Sequence, residues 1–304
     1  MTRATPRPCD QAWQAQMASG VADLSTSASI GWLEAFYAAY DRAFVLPDEK
    51  EGLEGFRECL ALNEGEAYAR LSERYGPYAE VVAVARDAKT GEIMGGANFI
   101  AFAPAADSHV VTANLNYIFV EEAFRRRGVF RDLVDLVKSQ ARSLFAGADD
   151  DALPHVLVFI EMNDPLRMAL EDYDLDSQHA GLDQVDRLRI WARLGAQLID
   201  FDYGQPALSA DQEPDDGLLY GVVGARDEGL SACRLKQHLE RFFAISVLKG
   251  RDPMDDAEAA RQIAELAARC ARGEQIGLLG LDPPEDGLSG AGGAGSFLAI
   301  ARRR

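Results

Sequence analysis

Between Asn114 and Phe145 the chain reads NLNYIFV, EEAF, RRRGVF, RDLVDLVKSQARSLF, and this order of apolar strand, basic turn closed by a glycine and long helix decides the fold. Phe130, Leu133, Val134, Val137, Ala141, Leu144 and Phe145 recur at helical spacing and give the helix one stripe to bury. Gly128 lets the backbone take a positive φ or approach a ligand closely. A helix start presents backbone N–H groups and the positive end of the helix dipole, and Arg125, Arg126, Arg127 and Arg131 add guanidinium charge at the same place. The chemistry of such a junction is anion binding, most naturally of phosphate.

Working outward, the residues before the junction have the period of strands. Glu80 to Arg86 and Glu92 to Phe102 form a hairpin about the turn Asp87 to Gly91, and Gly95-Gly96 marks a bulge or a close packing contact. Val110 to Val120 is the third strand. Upstream, Ile30, Leu33, Phe36, Tyr37, Tyr40 and Phe44 lie at helical spacing until Pro47, and two further helices are expected over Lys50 to Leu62 and Glu64 to Arg74. Residues 1–29 read as a loosely held arm with one helical turn around Trp13.

After the long helix, the acidic loop Asp149 to Asp151 leads into His155-Val-Leu-Val-Phe-Ile-Glu161, an apolar run that reads as a strand buried on both faces. A helix from Leu182 to Leu194 stops at Gly195, Ala196 to Asp202 is a strand, and Asp216 to Ala225 is its antiparallel partner. Asn163 to Gly181 reads as a long acidic connection, either a solvated loop or part of a pocket for a cation. Beyond Ala225, Leu230, Cys233, Leu239, Phe242, Phe243 and Val247 mark one helix, and Ala260, Ile263, Ala264, Ala267 and Ala271 another that starts near Asp255. These make a helical appendage that packs on the core or on a second copy of the chain, as a homodimer. Pro283 to Gly295 reads as disordered, and Arg302 to Arg304 as a solvated tail.

Arg125-x-x-Gly128-x-Phe130, following an apolar strand and opening a helix, resembles the pyrophosphate-binding signature of the GNAT superfamily of acyl-CoA-dependent N-acyltransferases. The family pattern has a small residue where Phe130 stands, so this side chain must point into the core with Leu133, Val134 and Val137. The resemblance implies an α/β fold with a mixed, mostly antiparallel central sheet flanked by helices, here over residues 30–225 with the appendage at 226–304. It implies transfer of an acetyl or short acyl group from acetyl-CoA or another short acyl-CoA to an amine, by direct attack in a ternary complex. It also implies that Arg125, Arg126, Arg127, Gly128, Val129, Phe130 and Arg131 hold the pyrophosphate. Backbone groups of Ile118 and Val120 would bond the pantetheine, in a gap between the strand Asn114 to Val120 and the strand His155 to Glu161.

Acyl transfer needs a neutral amine, because an ammonium cannot attack until it loses a proton. Glu161, ending a buried strand where desolvation should raise its pKa, is the candidate base, and Asn163 shares its strand face. Glu161 could equally cap a backbone N–H or pair with an arginine. Asn114 and Asn116 share one face of their strand and could bond a substrate or an ordered water. Where many family members have a tyrosine acid, four residues before Gly195, this chain has Trp191, which cannot donate a proton. Tyr203 and Tyr173 are the alternatives, Tyr203 being otherwise an ordinary aromatic at a strand end, or the thiolate leaves unassisted. A CoA-binding sensor or regulatory module is therefore the second reading.

Composition sets the remaining bounds. Apolar residues make up 48% and charged residues 26% of the chain, the balance of a folded globular protein. The formal net charge of −18 opposes nucleic-acid binding and favours a cationic partner, here a small-molecule amine rather than a protein. No apolar run is long enough to span a bilayer and the first residues lack a secretory core, so no membrane partner and a cytoplasmic location are expected. Cys9, Cys59, Cys233 and Cys270 make no close pair and read as inert thiols. The histidines have no metal-ligand spacing, and no Walker or dinucleotide pattern points to a nucleotide.

Overall fold

Alternation and turn chemistry build the first layer of the molecule, an antiparallel run of five strands: β1 (Ala12–Gln16), β2 (Val21–Ser25), β3 (Tyr78–Arg86), β4 (Ile93–Phe102) and β5 (Val110–Val120). The computed structural model describes residues 11–105, 108–146, 154–208, 212–226, 229–283 and 295–304. It has two compact units, Met1–Phe44 with Glu49–Val158, and Val45–Asp48 with Phe159–Arg304.

In the first unit, helices α1 (Leu33–Ala43), α2 (Leu53–Ala61) and α3 (Gly65–Tyr75) precede β3, within a few residues of the expected spans. Leu33, Phe36, Ala39 and Tyr40 of α1 and Phe56 and Leu60 of α2 bury their stripes against Val82, Val84 and Phe119 of the strands. The alternate residues Val81, Ala83, Phe99 and Leu115 are buried as well, and helix α4 (Val129–Leu144) packs against β4 and β5. Burial at about 25 cal/mol per Å² of apolar surface is the main force behind both layers.

The N-terminal arm needs correction. Residues 12–25 are a hairpin and not a helical turn, closed by Met17 N–H on the Gly20 carbonyl and extended by pairing β2 with β3. Trp13 does not form a helical turn; its indole N–H donates to Gln140 of α4 at 2.8 Å. The close contact expected at Gly95 is present, since a Cβ there would sit 2.3 Å from the Phe119 carbonyl oxygen. The bulge falls beside it: Ala85 faces Gly95 and Arg86 faces Ile93, leaving Met94 as the extra residue.

The second unit takes up the chain within β6 (His155–Asn163), whose Val156 to Ile160 are all buried as expected. β6 is followed in strand order by β8 (Leu218–Val223), β7 (Ala196–Ile199) and β11 (Leu278–Gly280), with β7 antiparallel to both of its neighbours. Both units are thus mixed α/β, with mostly antiparallel strands and helices laid on them. The acidic connection is also corrected. Leu170–Ala180 is a helix, α5, ended by Gly181 in the left-handed conformation, and α6 (Gln184–Arg193) follows with Asp183 as its N-cap. Helix α5 was hidden because its apolar residues do not recur on one stripe; Leu170 and Leu175 are exposed.

β9 (Leu230–Ser231) leads into α7 (Ala232–Phe242), a π turn over Phe243–Val247 continues it, and α8 (Ala257–Ala271) runs back to β10 (Gln275–Ile276). Cys233 and Cys270 are not inert thiols. The antiparallel course of α7 and α8 brings the start of one to the end of the other, with Cα atoms 4.6 Å apart, and the two sulfurs form a disulfide. Cys59 is a buried free thiol, and Cys9 lies outside the described residues. Asp149 to Asp151 and most of Pro283 to Gly295 also lie outside them. Helix α9 (Phe297–Ala301) is anchored by Asp164, whose buried carboxylate accepts the Phe297 N–H at 2.8 Å. The C-terminal arginines are exposed but not idle: Arg302 pairs with Asp200 at 2.6 Å and Asp202 at 3.0 Å, and Arg304 donates to the Asp282 carbonyl.

Candidate active site

In the first unit the junction after β5 has the form its residues call for. Glu122 to Phe124 make one 3-10 turn, Arg126 has φ 64°, Gly128 has φ 85°, and α4 begins at Val129. Two residues with positive φ so close together turn the chain sharply into the start of the helix. The helix has no side-chain cap on its first turn, and open space surrounds Gly128. The guanidinium of Arg127 lies 5.0 Å from the Phe124 ring centre, and Nε of Arg125 donates to the Val120 carbonyl. Arg126, Arg127 and Arg131 are exposed and, among the described residues, carry no ion pair. Phe130 departs from expectation. Val129 takes the core position at the start of α4, and Phe130, one residue or about 100° further round the helix, is only partly buried.

Ile118 and Val120 are partly exposed on β5, across from Ala97 and Gly95. Between them and Asn114 the ladder slips. Asn98 faces Tyr117 and Phe99 faces Leu115, so Asn116 is an extra residue, a β-bulge in β5. The bulge lets Asn114, Asn116 and Tyr117 present side chains toward the face that carries Glu80 and Asn98. There Glu80 accepts from Asn98 at 2.6 Å and Asn116 at 3.1 Å, and Asn116 accepts from Asn114 at 3.1 Å. Glu80 and Asn98 were not singled out from sequence. The available signal was a lone carboxylate opening the apolar run Val81 to Ala85, and a lone amide inside Ala97 to Phe102.

In the second unit Glu161 and Asn163 stand two apart on β6, on one face and partly exposed. Tyr203 is brought to Glu161: its phenol donates a close hydrogen bond to Glu161 Oε1. Tyr203 is buried, and both desolvation and the Glu161 charge push its pKa well above the ordinary phenol value, so it keeps its proton. Its ring stacks on Tyr220, centres 4.3 Å apart and planes 10° from parallel. Tyr220 Oη lies 3.1 Å from His238 Nε2, and the His238 ring stacks on Phe159 at 3.9 Å. Burial, then the Arg241 charge, depress the His238 pKa well below its usual value and keep the imidazole neutral. Tyr173 is placed elsewhere, donating to the Asp183 carboxylate at 2.7 Å, and Trp191 is buried on α6. Of the two alternative tyrosines, Tyr203 is thus the one joined to Glu161. Sequence reasoning missed Tyr220 and His238, which lie far apart in the chain.

No protein-family model matches this chain, and no curated protein matches it in sequence. Among solved structures, it is similar to a protein from a Desulfovibrio desulfuricans subspecies described as a GNAT-family acetyltransferase, with 14% identity over 67% of this chain and 98% of that one and a TM-score of 0.37. It is similar to the ribosomal-protein-S18-alanine N-acetyltransferase of Escherichia coli, with 16% identity over 69% and 98% of the two chains and a TM-score of 0.35. A third likeness is to an aminoglycoside 6'-N-acetyltransferase complexed with coenzyme A, 14% identical over 58% and 93%, with a TM-score of 0.29.

Proposed function

We propose that this protein is an N-acyltransferase that carries an acetyl or other short acyl group from acyl-CoA to an amine, by direct attack in a ternary complex. The observation that supports it most is the turn before α4, where Arg126 and Gly128 are both left-handed at the mouth of an uncapped helix among exposed arginines. That turn fits a pyrophosphate: Gly128, Val129, Phe130 and Arg131 offer backbone N–H groups, and Arg125, Arg126, Arg127 and Arg131 offer charge. Ile118 and Val120, partly exposed near the end of the strand that leads into it, would bond the amides of a pantetheine arm through their backbone groups.

Acyl-CoA supplies an activated thioester carbonyl, and the proton work falls to the chain. Glu161 accepts the proton that an ammonium must lose. Tyr203 donates to Glu161 Oε1 and so fixes the carboxylate that takes the proton. Because its own proton is held by burial, Tyr203 acts as a positioning donor rather than a base. Asn163, on the same strand face, is suited to orient the amine nitrogen. Trp191 takes no part in proton transfer, and a thiolate whose thiol has a pKa of about 8.5 leaves without help.

Two measurements test this. Arg127→Glu combined with Arg131→Glu should abolish protection of the protein by CoA against thermal unfolding. Release of free CoA from acetyl-CoA, assayed over a broad amine panel, should fall roughly a hundredfold or more in Glu161→Gln. Binding of acetyl-CoA without CoA release on any amine would favour the binding-module reading, to which Trp191 lends its support.

A further inference from the structure

We propose that Asn116 is the recognition point for the acceptor amine and that Glu80 is the positioning residue that sets its polarity; this rests on the reading that the protein acylates an amine. The inference comes from the direction of one hydrogen-bond chain within the first unit. Glu80 is fully buried in β3, and the amides of both Asn98 and Asn116 donate to its Oε1. An oxygen that accepts from both leaves no choice in how these amides face. The second N–H of Asn98 goes to the Val81 carbonyl at 3.1 Å, and the second N–H of Asn116 goes to Asn98 Oδ1 at 3.0 Å. Both donors of Asn116 therefore point inward. Its Oδ1 takes one bond from Asn114 and retains the capacity for another.

Exposure decides what this is for. Glu80, Asn98 and Asn114 are buried, and Asn116, lifted by the bulge, is the one member of the four that reaches the surface. What it shows there is an acceptor backed by a carboxylate, which suits an N–H donor with positive charge and repels a carboxylate or phosphate. Its chain neighbour adds a second cue. Tyr117, also partly exposed, packs its ring against Tyr40 at 4.9 Å, Phe56 at 5.6 Å and Phe44 at 5.7 Å, and aromatic faces attract ammonium groups. The class of ligand is a primary alkylammonium with an apolar stem beside the nitrogen.

The test uses the full chain without acyl-CoA, followed by side-chain and backbone amide NMR. Butylammonium chloride is the probe, and tetramethylammonium chloride and sodium chloride at equal ionic strength are the controls. Butylammonium alone should move the Asn116 amide and Tyr117 backbone signals saturably. Asn116→Leu should weaken its binding roughly tenfold or more, read at Tyr117. Glu80→Gln, whose Oε1 keeps both amide bonds while the charge is removed, should weaken it severalfold. Equal shifts with tetramethylammonium, which has no N–H, would overturn the proposal, as would unchanged butylammonium affinity in either variant. CoA binding is read separately by thermal shift and should be as in wild type in both variants. A wild type that CoA fails to protect would refute the acyl-transfer reading without altering the amine result.

Discussion

Replacing Gly128 by alanine isolates the backbone conformation of the turn from every other property of the site. The residue has φ 85°, and a Cβ built there meets nothing within 4 Å, so the substitution adds conformational cost without a clash. For an L-residue in the left-handed region that cost is about 1–2 kcal/mol. It can appear in two places. If the turn holds its shape, unfolding free energy falls by the whole amount and CoA binds as before. If the turn relaxes in the free protein, stability is spared and CoA must restore the shape on binding, weakening its affinity by about five- to thirtyfold. The two losses, from urea unfolding and from calorimetric titration with CoA, should therefore sum to about 1–2 kcal/mol. Gly91, at φ 74° in the hairpin turn and equally unobstructed, is the control: Gly91→Ala should lose stability alone. A Gly128→Ala protein with wild-type stability and wild-type CoA affinity would refute the argument that a left-handed residue builds the anion site.

Two further predictions concern stability. His238 is neutral in the fold because its pKa is depressed, so the unfolded chain takes up a proton near pH ~6.5 that the native protein does not. Stability from this group is present above that pH and is lost as pH falls below it, by up to about 1.4 kcal/mol per unit; urea unfolding from pH 7 to 5 should show this slope, and His238→Gln should lack it. The Cys233–Cys270 bond spans a sequence separation of 37, for which chain-entropy arguments give about 4 kcal/mol. A reducing agent should lower the urea midpoint of the wild type and leave Cys233→Ser unchanged; a wild-type midpoint indifferent to reductant would show that the bond does not constrain the unfolded chain.

The legible parts of the molecule were those written in local period or local turn chemistry. Helices α1 to α4 carry apolar residues at helical spacing, and strands β3 to β6 carry uninterrupted or alternating apolar runs. Gly76 after α3 and Gly128 before α4 mark helix boundaries by a conformation that other residues resist. The hairpin β1–β2 was hidden because AWQAQ is too polar to read as a strand by itself. Its existence depends on β3, to which β2 pairs some sixty residues later in the chain, a non-local preference that overrides a weak local one.

Long-range contacts explain the rest, and the two polar clusters show how. Glu161 was readable because it ends an apolar run, but nothing local says that Tyr203 would be its donor, that Tyr220 would stack on that tyrosine, or that His238 would bond to Tyr220. Asn114 and Asn116 share a strand face by simple alternation, and that parity alone would place Tyr117 on the opposite one. A single extra residue in β5 cancels the parity from Tyr117 onward, so that Tyr117 faces Asn98 and joins the aromatic residues of α1 and α2. Register is therefore the variable that converts two unremarkable asparagines and a buried carboxylate into a directed chain of donors ending at the surface. If the slip were removed by deleting Asn116, Leu115 and Tyr117 would keep their partners Phe99 and Asn98, and the carboxylate of Glu80 would lose the amide that the extra residue brings to it. The bulge thus places on the Glu80 face an amide that an unbroken ladder would not hold there.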